Sequence, residues 1–168
     1  MDYELFINNS SEAEKIGNII FEIMKEVIGK EVKVEKLQHK LGYQYVYIES
    51  EYLTIDIDLE DEDGEMEEYH EMNLKYYSVN TNMRINIQLF SKTFDTSWLK
   101  LIETVGQLLS VVEGDVLLLD DRSFPIMKRT NNVLLVNNDL DEYQIKYITK
   151  ESLKLLNCHY VERSFKAE

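Results

Sequence analysis

Leu53, Ile55, Ile57 and Leu59 alternate with Thr54, Asp56 and Asp58 along one short stretch of the chain. A period of two marks a strand with one face in a core and the other in water. Such a strand belongs to a one-sided sheet, whose apolar face must be covered by helices or by a second sheet. Residues 83–90 repeat the pattern with Ile85, Ile87 and Leu89, and residues 2–8 with Tyr3, Leu5 and Ile7. Residues 43–49 alternate as well. Only Ser50 and Glu51 separate them from residues 52–59, which predicts a hairpin.

Two helical stripes can supply the cover. Ala13, Ile16, Ile19, Ile20, Ile23, Met24, Val27 and Ile28 recur at three- and four-residue spacing and share one face. Ser11 and Glu14 fit a capping box at the start, and Gly29 fits the stop. Trp98, Leu101, Ile102, Val105, Leu108, Leu109 and Val112 form a second stripe, in a helix closed by Gly114. Residues 31–36, 74–78, 115–120 and 132–136 read as further strands, the last two joined by a polar connection containing Pro125. A final helix is predicted from Thr149 over Leu153, Leu155 and Leu156. The expected fold is a single α+β domain over residues 1–168. It has two layers, with helices on one face of a largely antiparallel sheet. The order strand, helix, strand, strand occurs twice, in residues 2–59 and 83–136. A chain of 168 residues that is 44% hydrophobic can bury a core for such a fold.

The charge is localised. The protein carries 32 acids and 18 bases, a net of −14. Residues 41–74 hold twelve of the acids and no Lys or Arg, which leaves 20 acids against 18 bases in the rest of the chain. Extended to residue 77, the same segment holds seven of the eleven tyrosines. Its middle, residues 60–71, is polar around Gly64 and reads as an exposed loop. Carboxylates beside phenol rings are what a surface needs to grip a basic protein: the charges steer the encounter and the rings supply contact area. The residues expected to do so are Asp56, Asp58, Glu60, Asp61, Glu62, Asp63, Glu65, Glu67, Glu68, Tyr52 and Tyr69. A solvated charged loop is the plain alternative.

Direct binding of nucleic acid is not expected, because phosphate recognition relies on clustered Lys and Arg. An anionic membrane would repel the chain. One cysteine, Cys158, suits a reducing cytoplasm. The start, Met1-Asp2-Tyr3-Glu4, lacks the basic residues and apolar run of a signal peptide. No cofactor or metal is expected. Setting Gly64 at the glycine position of a helix-loop-helix calcium site puts Leu59 and His70 where carboxylates are required. His39, His70 and His159 lack zinc spacing. Asp56 and Asp58, two apart on one strand face, could serve a cation- or small-molecule-binding protein or an enzyme, although no third group sets acid and base roles. An acidic mimic of DNA is a further reading. Trp98 reads as core. Arg122, Lys128 and Arg129 read as a solvated turn or as counter-ions for the acidic segment.

Trp98 in its amphipathic helix, Gly114-Asp115-Val116-Leu117-Leu118 opening a strand, and Met127-Lys128-Arg129 leading into Asn132-Val133-Leu134-Leu135-Val136 form one pattern. It resembles the swarming-inhibition (Sit-type) bacterial immunity proteins. Asp2-Tyr3-Glu4-Leu5 is similar to that family's opening strand. The resemblance spans residues 1–8 and 95–137 and leaves out the acidic middle. It implies a non-enzymatic cytosolic antidote that binds a cognate toxin. Many such toxins have basic clefts, which an acidic surface complements.

Overall fold

The strand that opens the chain ends up in the middle of the sheet. The computed structural model describes residues 1–61 and 63–167. Its strands are β1 (Asp2–Ile7), β2 (Lys33–Gln38), β3 (Gln44–Glu49), β4 (Leu53–Asp58), β5 (Met83–Leu89), β6 (Val116–Asp120), β7 (Pro125–Thr130), β8 (Val133–Asn137) and β9 (Val161–Arg163). Its helices are α1 (Ala13–Val27), α2 (Glu65–Tyr77), α3 (Phe94–Val111) and the single-turn α4 (Gln144–Tyr147) and α5 (Lys150–Leu153). Among the described residues these strands form one sheet, ordered β2-β3-β4-β5-β1-β6-β7-β8-β9. All neighbours are antiparallel except β8 and β9. The α+β class expected from the sequence is the one observed.

β1 lies between β5 and β6, so these two run parallel and are joined through α3 across the intervening strand. Tyr3, Leu5 and Ile7 point into a core shared with Ile16, Ile20 and Met24 of α1 and with Trp98, Leu101, Ile102 and Val105 of α3. The two long helices pack on each other over this face, as their stripes require. Trp98 is core, tilted against Tyr3 and edge-on to Tyr147. The strand-helix-strands order recurs, but the sheet does not repeat it. The strand after α1 sits at the outer edge, whereas the strand after α3 sits beside β1.

Several expectations need correcting. Residues 60–71 are not one loop, and residues 74–78 are not a strand: α2 runs from Glu65 to Tyr77. The acids of its first turn favour helix, since carboxylates offset the positive end of the helix dipole. α2 lies against the opposite sheet face, where Tyr69 and Tyr77 cover Phe6, Val79, Leu117 and Leu119. α1 starts without the expected box; Glu12 is its N-cap and no side chain caps it. Box geometry appears instead at α5, between Thr149 and Ser152. The early strand falls at Lys33–Gln38, two residues later than expected at each end.

Lys128 and Arg129 are not turn residues. They belong to β7, and strand alternation sends them to opposite faces. Lys128 is buried and donates to the Tyr77 carbonyl at the end of α2, at 3.0 Å. Arg129 turns the other way. Its guanidinium donates to the carbonyls of Leu109 (2.8 Å), Val112 and Gly114 at the end of α3. Helix ends leave carbonyls without intrahelical donors, and a cation there meets both the hydrogen-bond need and the dipole. Gly114 has no room for a side chain, because a Cβ would overlap the Asn8 carbonyl. α1 is closed in the same way by Lys100 of α3, which donates to the Val27 carbonyl at 3.0 Å. Arg122 lies on the β6–β7 turn and pairs with Asp141 at 3.1 Å.

Replacing Arg129 by Ala should cost about 2–4 kcal/mol, the range for losing charge-assisted bonds to carbonyls that stay partly buried. Lys at this position should recover only part, having no fork to reach several carbonyls. Denaturant unfolding measures both, and a full recovery by Lys would show that charge alone matters.

Candidate functional site

The strand registers lay out the second sheet face row by row. Glu4 of β1 stands opposite Asn86 of β5, which stands opposite Asp56 of β4, which stands opposite Tyr47 of β3. One row along, Phe6 stands opposite Arg84, and Asp58 opposite Tyr45. One row the other way, Asp2 stands opposite Gln88, and Gln88 opposite Thr54. Side chains directly across a pair share a face and touch. The face is therefore acid beside tyrosine, with polar amides between.

Arg84 organises its centre. Its Nε donates to Glu4 Oε2 at 2.6 Å, its guanidinium lies 4.6 Å from the centre of the Tyr69 ring, and Glu65 approaches to 4.0 Å. Tyr69 in turn packs on Phe6 and donates to Glu65 at 3.2 Å. Further along α2, His70 Nδ1 meets the Thr81 carbonyl at 2.8 Å, Asn73 donates to Thr81 Oγ1 at 3.0 Å, and Tyr77 donates to the Ser123 carbonyl at 2.8 Å. The helix is thus docked mainly through polar groups and tyrosine rings.

The expected partner-binding residues divide accordingly. Asp56 is half-buried and accepts from Asn86 at 3.0 Å. Asp58, Glu60, Asp61, Asp63, Glu67 and Glu68 are exposed. Asp61 accepts from the Met66 amide in the first turn of α2, at 3.1 Å. Glu65 and Tyr69 are half-buried and serve the Arg84 clamp. Tyr52 is half-buried in the hairpin turn that Ser50 organises. Glu62 lies outside the described residues.

Other residues of this surface were missed. Tyr45 and Tyr47 carry the rings beside Asp58 and Asp56, and a two-residue hairpin turn at Glu51 and Tyr52 would have paired them correctly. Tyr76 is the most exposed tyrosine of α2, 65% accessible, beside exposed Met72 and Glu68. Arg84 and Glu4, on different strands, gave no local signal.

Burial raises the pKa of Asp56, against the hydrogen bond from Asn86 and the charge of Arg84, which lower it. For Arg84 burial opposes the charge, but the Glu4 bond and charge outweigh it, and its pKa rises. Two depressions flank Arg84. One, about 220 Å³, lies between α2 and the strand ends, with Asp58, Glu60, Asp61 and Glu65 at its rim and Met66, Tyr69 and Met83 in its wall. The other, about 390 Å³, lies over the open rows of the sheet face. Among the described residues no three His, Cys, Asp or Glu side chains are grouped to hold a metal ion, and no helix is long and apolar enough to cross a membrane. Such depressions can receive a positively charged group lying on tyrosine and amide.

The Asp56 shift gives a pH test. A carboxyl whose pKa is higher folded than unfolded stabilises the fold below its unfolded value, ~3.9. That contribution is lost as pH rises through the folded value. Asp56→Asn keeps an oxygen for Asn86 and removes the charge. Relative to the parent, the variant should gain stability as pH climbs from about 3.9 toward neutrality. Urea midpoints across that range check it, and a relative loss would mean the ionised carboxylate is held favourably.

Comparison with known proteins returns no match: no family model, no curated protein and no solved structure is significantly similar to this chain.

Proposed function

We propose that this chain is a non-enzymatic binding protein of the immunity kind, which holds a basic toxin domain in the cytoplasm through an acidic, tyrosine-bearing surface. The observation that carries the reading is the pairing of Tyr47 with Asp56 and of Tyr45 with Asp58, on a sheet face adjoining the acids of α2. The outer side of α2 continues the same chemistry, with Glu67, Glu68, Glu71, Met72 and Tyr76 exposed. The division of labour is physical. Exposed carboxylates act over a Debye length and set how fast a basic partner arrives. Rings and half-buried groups act at contact and set how long it stays. The resemblance of residues 1–8 and 95–137 to Sit-type immunity proteins supports the same class; it takes in Asp2, Glu4 and Asp121 of this face and none of the acids of residues 41–74. A DNA mimic would need carboxylates spread over much of the protein, whereas the excess charge here is confined to one segment.

The two residue classes should separate in binding kinetics against the basic domain recovered by salt-eluted affinity capture. Neutralising Glu60, Glu67, Glu68 and Glu71 together should slow association about tenfold at low salt, with the gap closing as salt rises. Tyr76→Ala should leave association unchanged and speed dissociation about tenfold. If the neutralised variant associates as fast as the parent at low salt, the acids are only a solvated surface.

A further inference from the structure

Resting on the reading above, the sheet face itself points to the form of the partner. α2 covers only the apolar end of this face, over Phe6, Leu117 and Leu119. The rows through Glu4 and Asp2 remain open as the 390 Å³ depression, which is lined by strand residues and Asp121 without any contribution from α2. Arg84, under Tyr69, marks the boundary. We propose that this uncovered face is the docking surface for an extended basic segment of the partner, lying across the strands with lysine or arginine side chains directed onto Asp56, Asp2 and Asp121.

Charge, chemistry and length fit this occupant. Asp2, Glu4, Asp56 and Asp121 line the depression with one guanidinium, that of Arg84, which Glu4 already holds. The balance calls for added positive charge. Asn86 and Gln88 lie between the carboxylates of β1 and Asp56, with Thr54 on the Asp56 strand and Tyr47 beyond it, a floor that can flank an aliphatic stem and accept from its charged end. The path from β6 to β3 crosses four strand spacings of roughly 4.8 Å, about 19 Å in all. An extended segment of about six residues spans that distance and turns alternate side chains toward the floor. Asp56 carries a desolvation cost in the free protein, and a cation beside it would offset that cost.

The test uses the full chain, labelled with ¹⁵N, and a capped hexapeptide of alternating arginine and glycine at physiological salt. The expected result is saturable shifts at the amides of Tyr47, Asp56, Asn86 and Gln88. Asp56→Asn combined with Asp121→Asn should weaken binding about fivefold, as two partly exposed ion pairs would. Neutralising Glu67, Glu68 and Glu71 should leave the affinity within about twofold, since those charges are on the other side of α2 and screened. Shifts confined to residues 60–71 and the outer side of α2 would overturn the assignment while leaving the acidic surface as the binding region. No saturable shift anywhere would overturn it and count against the acidic surface as well. Concentration-dependent shifts of the same four amides without peptide would give the face to a second copy of this chain, and that too would overturn it.

Discussion

Lys128 and Arg129 are adjacent on a strand, and the two-residue period sends one to each face of the sheet. Each then closes the carboxyl end of a helix: Lys128 that of α2, Arg129 that of α3. One dipeptide therefore ties both helical layers to the same point of β7. A buried cation is costly unless it is fully hydrogen-bonded. Helix ends supply carbonyls that need donors and a dipole that favours positive charge. Burial lowers the pKa of Arg129, yet a guanidinium keeps its charge at any ordinary pH, so the carbonyls hold a permanent cation. For α2 the arrangement matters doubly. That helix has few apolar residues with which to dock, and its position depends on specific polar contacts such as this one and the Arg84 clamp.

The acidic segment is consequently not uniform. At the start of α2, Glu65, Glu67 and Glu68 favour the helix they belong to, and Asp61 accepts one of its first amides. Glu65 also lies against Arg84. These roles account for part of the charge without any partner. Asp58 and Asp56 sit instead on the sheet, facing tyrosines, and the acids on the outer side of α2 face solvent. A reading of the segment as solvated loop fails because its second half is helix. Glu65 and Tyr69 hold the helix down through Arg84 and also line the depression at its edge.

What was legible in the sequence followed apolar periodicity. α1, α3, β4 and β5 each present one hydrophobic face to one core, and their approximate extents and buried faces could be read from spacing alone. α2 escaped because the side it presents to the sheet is Tyr69, His70, Asn73 and Tyr77, a set that scores as polar although it docks through rings and hydrogen bonds. β7 escaped because Pro125, Lys128 and Arg129 look like a turn; pairing with β6 and β8 makes them strand residues, and the helix ends receive the two cations. β9 has three exposed residues and no pattern at all. For the candidate site, the carboxylates were legible and their partners were not. Tyr47 and Asp56 come together through hairpin register, and Glu4 and Arg84 through the insertion of β1 beside β5, a topological fact that no local window contains.

Asp56 is the residue at which stability and the proposed role pull apart. Its neighbours, Asn86 and Arg84, favour the carboxylate, yet burial outweighs them and the ionised form is held at a cost. A neutral Asn would accept the same bond without that cost. Natural sequences break local rules of this kind mainly where a site needs the group for something besides folding. Lys128 and half-buried Arg129 are also charges set into the fold, and there helix-end carbonyls face each of them. Among the described residues Asp56 accepts from the side chain of Asn86 alone, and it lines the open depression between β3 and β1. A positive group arriving there would complete a set of contacts that folding leaves short, which is how a surface can hold a basic partner firmly without a large apolar patch.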